Sequence, residues 1–157
     1  MSEKILIPLD GSIFGEAALR YIEKRLSRLE EEKKTEVVLL QVITTLAHIV
    51  PSGEAAVKVP YTESELEQIK KQSIDYLNEA GEDLKSKGVV VKCEVKFGTS
   101  SANEIIKAEE EFGADLVAMS THGRHGLSRW AFGSVTDKVL REGKVPVLLV
   151  RIPKKAE

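Results

Sequence analysis

At 157 residues, with 42% hydrophobic side chains, 31% charged side chains and a net charge of −2, the chain is sized for one globular domain with a substantial core. That balance speaks against nucleic acid or an anionic membrane surface as partner, because either favours a marked positive excess. No apolar run approaches the length of a membrane span, and the opening MSEKILIPLDGS has no charged segment leading into an apolar one; no secretory signal and a cytoplasmic location are expected.

In chain order, KILIPLD (4–10) reads as a buried strand. Over 13–33, Ala17, Ala18, Tyr21, Ile22, Leu26 and Leu29 recur at helical spacing, with the acidic run 30–32 as a solvated end. EVVLLQVI (36–43) is a second buried strand, rich in leucine and β-branched residues. Residues 44–61, with Pro51, Gly53 and Pro60, read as a long connection. Thr62 with Glu65 three residues later predicts a capping box. The helix it opens runs to about Lys87, with Leu66, Ile69, Leu77, Ala80 and Leu84 on one face and Gly88 at its end. VVVKCEVKF (89–97) alternates in part, as a strand near a sheet edge does, and Cys93, the one cysteine, sits in it as a buried or half-buried thiol. SSANEIIKAEEEFG (100–113) is a capped helix closed by Gly113, its acidic run 109–111 reading as solvated. DLVAMS (115–120) is a fourth strand, 133–142 a helix and VPVLLV (145–150) a fifth strand.

Strands alternating with helices predict an α/β fold: a single doubly wound open sheet of five parallel strands, helices on both faces, in one domain over 1–157. In such sheets ligands sit beyond the carboxyl ends of the strands, where the winding reverses. The connections there are PLDGS after the first strand and STHGRHG after the fourth, and both carry glycine.

Two common nucleotide signatures are absent. DGSIFG does not have the glycine spacing of a dinucleotide fingerprint, and no Gly-Lys-Ser/Thr occurs for a P-loop. His48, His122 and His125 have neither a nucleophile elbow nor companion metal ligands, so catalytic residues and a metal site are not expected. The second connection offers different chemistry. Gly123 and Gly126 leave backbone amides open, and Gly133-Ser134-Val135 starts a helix whose first amides lack partners. Such amides cradle phosphates. Ser134 adds a hydroxyl, and Arg124 and Arg129 add cations; Ser120 to Lys144 holds five Lys/Arg against two Asp/Glu. The same glycines also suit a loop that merely packs a helix onto a sheet, and spacing alone leaves both readings open. Asp10 suits either a ligand contact or a cap on the first helix. His122 and His125 read as loop hydrogen-bonders, and Trp130 and Phe132 as wedges holding the loop to the sheet.

ADLVAMSTHGRHGLSRWAFGSVTDKVLREGKVPVLLVR resembles the carboxyl-terminal third of the universal stress protein family, and KILIPLDGSIFGEAALRYI resembles its opening. ATP-binding members carry G-x2-G-x9-G-[ST]; this chain matches from Gly123 through Gly133-Ser134 but has Ser120 in place of the first glycine. The resemblance implies an adenine nucleotide, ATP with Mg2+, as ligand. It implies that Pro8, Leu9 and Asp10 lie against adenine and ribose, that Val42 contacts adenine, and that Met119 and Ser120 floor the pocket. Gly123, Gly126, Gly133, Ser134 and Val135 would hold the triphosphate, with Arg124 nearby. It further implies a homodimer through the strand 145–150, whose unpaired edge otherwise invites association. The expected function is a nucleotide-responsive regulatory protein of the stress response, with an unidentified protein partner and at most a weak ATPase. The alternatives are a nucleotide-independent interaction module on the same fold and an adenylating enzyme.

Overall fold

The two apolar strands of the amino-terminal third lie side by side at the centre of a sheet, as their buried character requires. β1 (Glu3–Pro8) pairs in parallel with β2 (Thr35–Ile43), in register from Glu3 against Thr35 to Pro8 against Leu40. The computed structural model describes residues 2–29, 34–122 and 132–152. β5 (Val90–Phe97), β6 (Leu116–His122) and β7 (Val147–Ile152) complete a five-stranded sheet in the order β5-β2-β1-β6-β7, all pairs parallel. The predicted doubly wound α/β architecture is therefore observed, and β5 lies at an edge as its partial alternation implies.

Side chains of period two sort into two layers. Ile5, Ile7, Leu9, Val37, Leu39 and Ala118 face α1 (Ala17–Leu26), α2 (Glu63–Ala80) and α3 (Glu82–Ser86), meeting Leu19, Ile22, Leu77 and Leu84. Leu6, Val38, Leu40, Val117 and Met119 face the other way, against Ala102, Ile105 and Ala108 of α4 (Ser101–Glu111) and Val139 of α5 (Ser134–Glu142). No helix among the described residues is long and apolar enough to cross a membrane.

Several expectations are corrected. The long connection contains an antiparallel hairpin, β3 (Ala47–Ser52) and β4 (Ala55–Pro60), turning at Gly53 with φ +62°. Pro51 pairs with Ala56 and Pro60 with Ala47, two pairs in the same phase of the ladder. A proline cannot donate, so these are the non-hydrogen-bonded pairs and the prolines sit where the hairpin needs no N–H. The predicted helix to Lys87 breaks at Gly81, where a Cβ would lie 2.9 Å from Leu39 Cδ1 and 3.2 Å from Val91 Cγ1; only glycine lets the backbone rest on the sheet there. Thr62 Oγ1 accepts from the Glu65 amide at 3.2 Å, but the Glu65 carboxylate turns to His48 Nε2 at 2.6 Å, so half the capping box is made. The first helix ends at Leu26, and Tyr21 and Leu29 are exposed. β7 begins at Val147, beyond Pro146. In the acidic run 109–111, Glu109 is 3% exposed rather than solvated. The run 30–32 and the residues after Ile152 lie outside the described residues.

Candidate functional site

β1 and β6 are neighbours, yet they pair only at Ile5–Leu116 and Leu6–Val117, whereas β6 stays paired with β7 as far as His122–Ile152. Beyond Leu6 the two strands part. Their parting is the point where the winding reverses, β2 and β5 lying to one side and β7 to the other. Pro8 occupies the last position of β1, past its pairing to β6, where a missing N–H costs no ladder bond.

A cavity of about 210 Å³ occupies this opening. Pro8, Leu9, Asp10, Val42, Met119, Ser120 and Val135, all named from the sequence, line it together. Gly15, Leu40, Ser101, Ile105 and Thr136 line it as well and were not anticipated. A second recess of about 340 Å³ is formed by Thr44, Thr99, Ser100, Ser101, Ser134, Val135 and Lys138; Ser101 and Val135 line both. The hydroxyl run 99–101 was visible in the sequence, but it read only as a helix cap, a role Ser100 does fill by accepting from the Asn103 amide at 3.3 Å.

Gly133 caps α5 with φ +95° and ψ 152°, and as a glycine it has no side chain to cap that helix. Its first amides have no partner within the helix, and a Cβ at Gly133 would meet nothing within 4 Å among the described residues. Gly123, Arg124 and Gly126, with His125, Arg129 and Trp130, lie outside the described residues. Phe132 is 48% exposed, which removes it as a wedge against the sheet; its carbonyl accepts from Thr121 Oγ1 at 3.4 Å.

The wall opposite is the connection from β1 to α1. Asp10 Oδ1 accepts from the Ser12 amide at 2.9 Å and the Ser12 hydroxyl at 2.6 Å, so the carboxylate closes its own turn and does not cap α1. Ser12 Oγ in turn accepts from the Gly15 amide at 3.0 Å. A Cβ on Gly15 would stand 2.4 Å from Asp10 Oδ1, so glycine is required for the turn to close. Ser120 Oγ accepts from the Ala18 amide at 2.8 Å and donates to the Gly15 carbonyl at 2.7 Å.

Behind this wall, burial, followed by the negative charges of Glu16 and Asp10, pushes the Tyr76 hydroxyl up to about 12. A raised pKa favours the protonated folded state; the stability it carries is intact below the ordinary value of about 10 and is lost as pH rises through the folded value. In an absorbance titration of the three tyrosines, the last ionisation step is expected to vanish in Tyr76→Phe. Its persistence would refute the assignment. Among the described residues, no group of three or more His, Cys, Asp or Glu stands placed to hold a metal ion.

Residues 1–151 match the model of the universal stress protein family. The universal stress protein MJ0531 of Methanocaldococcus jannaschii is 32% identical over 154 residues, covering 98% of this chain and 84% of its own. MJ0577 of the same organism is 29% identical over 160 residues, covering 96% of each chain. The solved structure of MJ0577 superposes with a TM-score of 0.68 at 26% identity, covering 99% of both chains. A family member from Arabidopsis thaliana, solved with AMP bound, shares the fold at a TM-score of 0.61 and 14% identity, over 96% of this chain and 92% of that one. With its parted central strands and its match over nearly the whole sequence, this chain belongs to the universal stress protein family.

Proposed function

We propose that this protein binds an adenine nucleotide, ATP with Mg2+, in the opening between β1 and β6, and acts as a nucleotide-responsive regulatory homodimer. The observation that carries the reading is continuity: one cavity runs from the Pro8–Asp10 wall over Met119 and Ser120 to Val135, beside the glycine-capped start of α5. An apolar slot backed by Val42 and Leu40 suits a planar base. The amides of Ser134 and Val135, without partners inside the helix, and Lys138 in the adjoining recess suit phosphate oxygens. The AMP held by the Arabidopsis relative agrees with this class of ligand.

The residues fit magnesium only as a companion of the nucleotide. Asp10 is the one acidic residue among the described lining of the cavity, so phosphate oxygens and water supply most of the ligands. Fast hydrolysis needs a base beside the terminal phosphate, and Asp10 stands at the base end of the opening. The chain is thus a binder first, with at most a weak ATPase.

Two features support the dimer. β7 is an edge strand, and a groove of about 750 Å³ beside it is lined by Ile13, Phe14, Tyr21, Val150 and Ile152, with Ile13 85% exposed. A second copy laid along that edge pairs its backbone and covers those side chains.

At about a hundred times its dissociation constant, a ligand stabilises the folded state by ~2.7 kcal/mol, which raises Tm by roughly 5–10 °C for a chain of this size. Mg-ATP is expected to produce that shift, with a particle of twice the chain mass in light scattering. No shift with ATP, ADP, AMP or cAMP would leave a nucleotide-independent interaction module as the function.

A further inference from the structure

We propose that Ser120 is a positioning residue for the nucleotide site: its hydroxyl latches the turn between β1 and α1 to β6, and so sets the wall against which the ligand lies. The inference rests on the nucleotide reading but concerns what holds the site together.

Where β1 and β6 part, no ladder bond joins their carboxyl ends. The Ser120 hydroxyl bridges that gap, donating to the Gly15 carbonyl at 2.7 Å and accepting from the Ala18 amide at 2.8 Å. On the other side of Gly15, the Ser12 hydroxyl accepts its amide at 3.0 Å. Gly15 is thus held at both its N–H and its C=O, and Asp10, which closes the same turn, is held through Ser12.

Two consequences follow for recognition. The Ser120 hydroxyl has one hydrogen to donate, and the Gly15 carbonyl takes it; the floor of the cavity therefore meets a ligand by shape at this point and not with a free donor. Asp10 and Gly15 face the cavity as part of the latched turn, so the ligand finds a wall already ordered and does not bear the entropy of ordering it. A glycine at this position would leave the turn without either bond.

The test compares Ser120→Ala, Ser120→Gly and Ser120→Thr by amide exchange in the free protein and by calorimetric titration with Mg-ATP. In the alanine and glycine variants the Ala18 amide is expected to exchange about tenfold faster or more, and the dissociation constant for Mg-ATP to rise about tenfold. Threonine, which keeps the hydroxyl, is expected to restore both. A role in packing alone would lower Tm and leave affinity unchanged, and that result overturns the proposal, as does an Ala18 exchange rate indifferent to the hydroxyl. If the wild type takes up no Mg-ATP, the nucleotide reading is what fails. The exchange measurement still decides the latch: acceleration restored by threonine supports it, and no acceleration removes it.

Discussion

Gly133→Val is expected to weaken nucleotide binding about tenfold or more while leaving a folded, less stable protein. With φ +95° and ψ 152°, Gly133 occupies backbone space that residues with a Cβ avoid. Among the described residues nothing lies within 4 Å of a Cβ there, so against them the cost is conformational. Holding valine in that geometry costs about 1–3 kcal/mol. If the chain instead rotates φ to a negative value, the amides of Ser134 and Val135 swing away from the cavity. Turning the amides away loosens the grip on phosphate, and a loss of tenfold in affinity corresponds to only ~1.4 kcal/mol, no more than the strain it relieves. Gly113→Ala is the control. It also has positive φ, +61°, and open space around a Cβ, but it lies between α4 and β6 at the opposite end of the sheet. That variant is expected to lose stability by about 1 kcal/mol and to bind Mg-ATP as the wild type does. Equal binding by Gly133→Val and the wild type would remove the start of α5 from the site.

The parts of this site that the sequence reveals are those set by local pattern. ILI in β1, VVLL in β2 and LVAM in β6 are buried runs whose alternation with helical segments predicts a parallel sheet, and the parallel sheet in turn predicts that the loops after β1 and β6 meet. Pro8, Asp10, Met119 and Ser120 do share one cavity. What stayed hidden depends on partners far along the chain. Ser120 reads as a small substitute for glycine, yet its hydroxyl bonds residues 105 and 102 positions away. Gly81 reads as a tolerated helical glycine until Leu39 and Val91 are seen beneath it. The prolines at 51 and 60 argue against strands unless the phase of the ladder is known. The burial of Glu109 is legible in the spacing: with Ala102 and Ile105 it falls at intervals of three and four on the buried face of α4, while the acidic run around it points to solvent.

Glu109 sets up the largest expected change in stability away from the site. Its Oε2 accepts from the Lys144 amide at 3.1 Å, tying α4 to the residues that enter β7, and its Oε1 is buried without a hydrogen-bond partner among the described residues. Gly143 lies against this carboxylate. A Cβ there would stand 2.6 Å from Glu109 Oε1 and 2.6 Å from the Val139 carbonyl oxygen. The φ of Gly143, −72°, is ordinary, so backbone strain plays no part and the cost of Gly143→Ala is steric alone. The first obstacle is a buried side chain with little room to turn; the second is helix backbone and cannot yield. Overpacking of this kind costs about 1–3 kcal/mol, more where backbone must move, and a fall in Tm of about 5–10 °C is expected. Removing the carboxylate relieves one obstacle and not the other. The pair Glu109→Ala and Gly143→Ala should therefore be less destabilising together than the sum of the two, by about 1 kcal/mol in a double-mutant cycle. Additive effects would mean that the carboxylate and the glycine do not touch, and a neutral Gly143→Ala would mean that the α5–β7 corner is looser than the close approach of Glu109 requires.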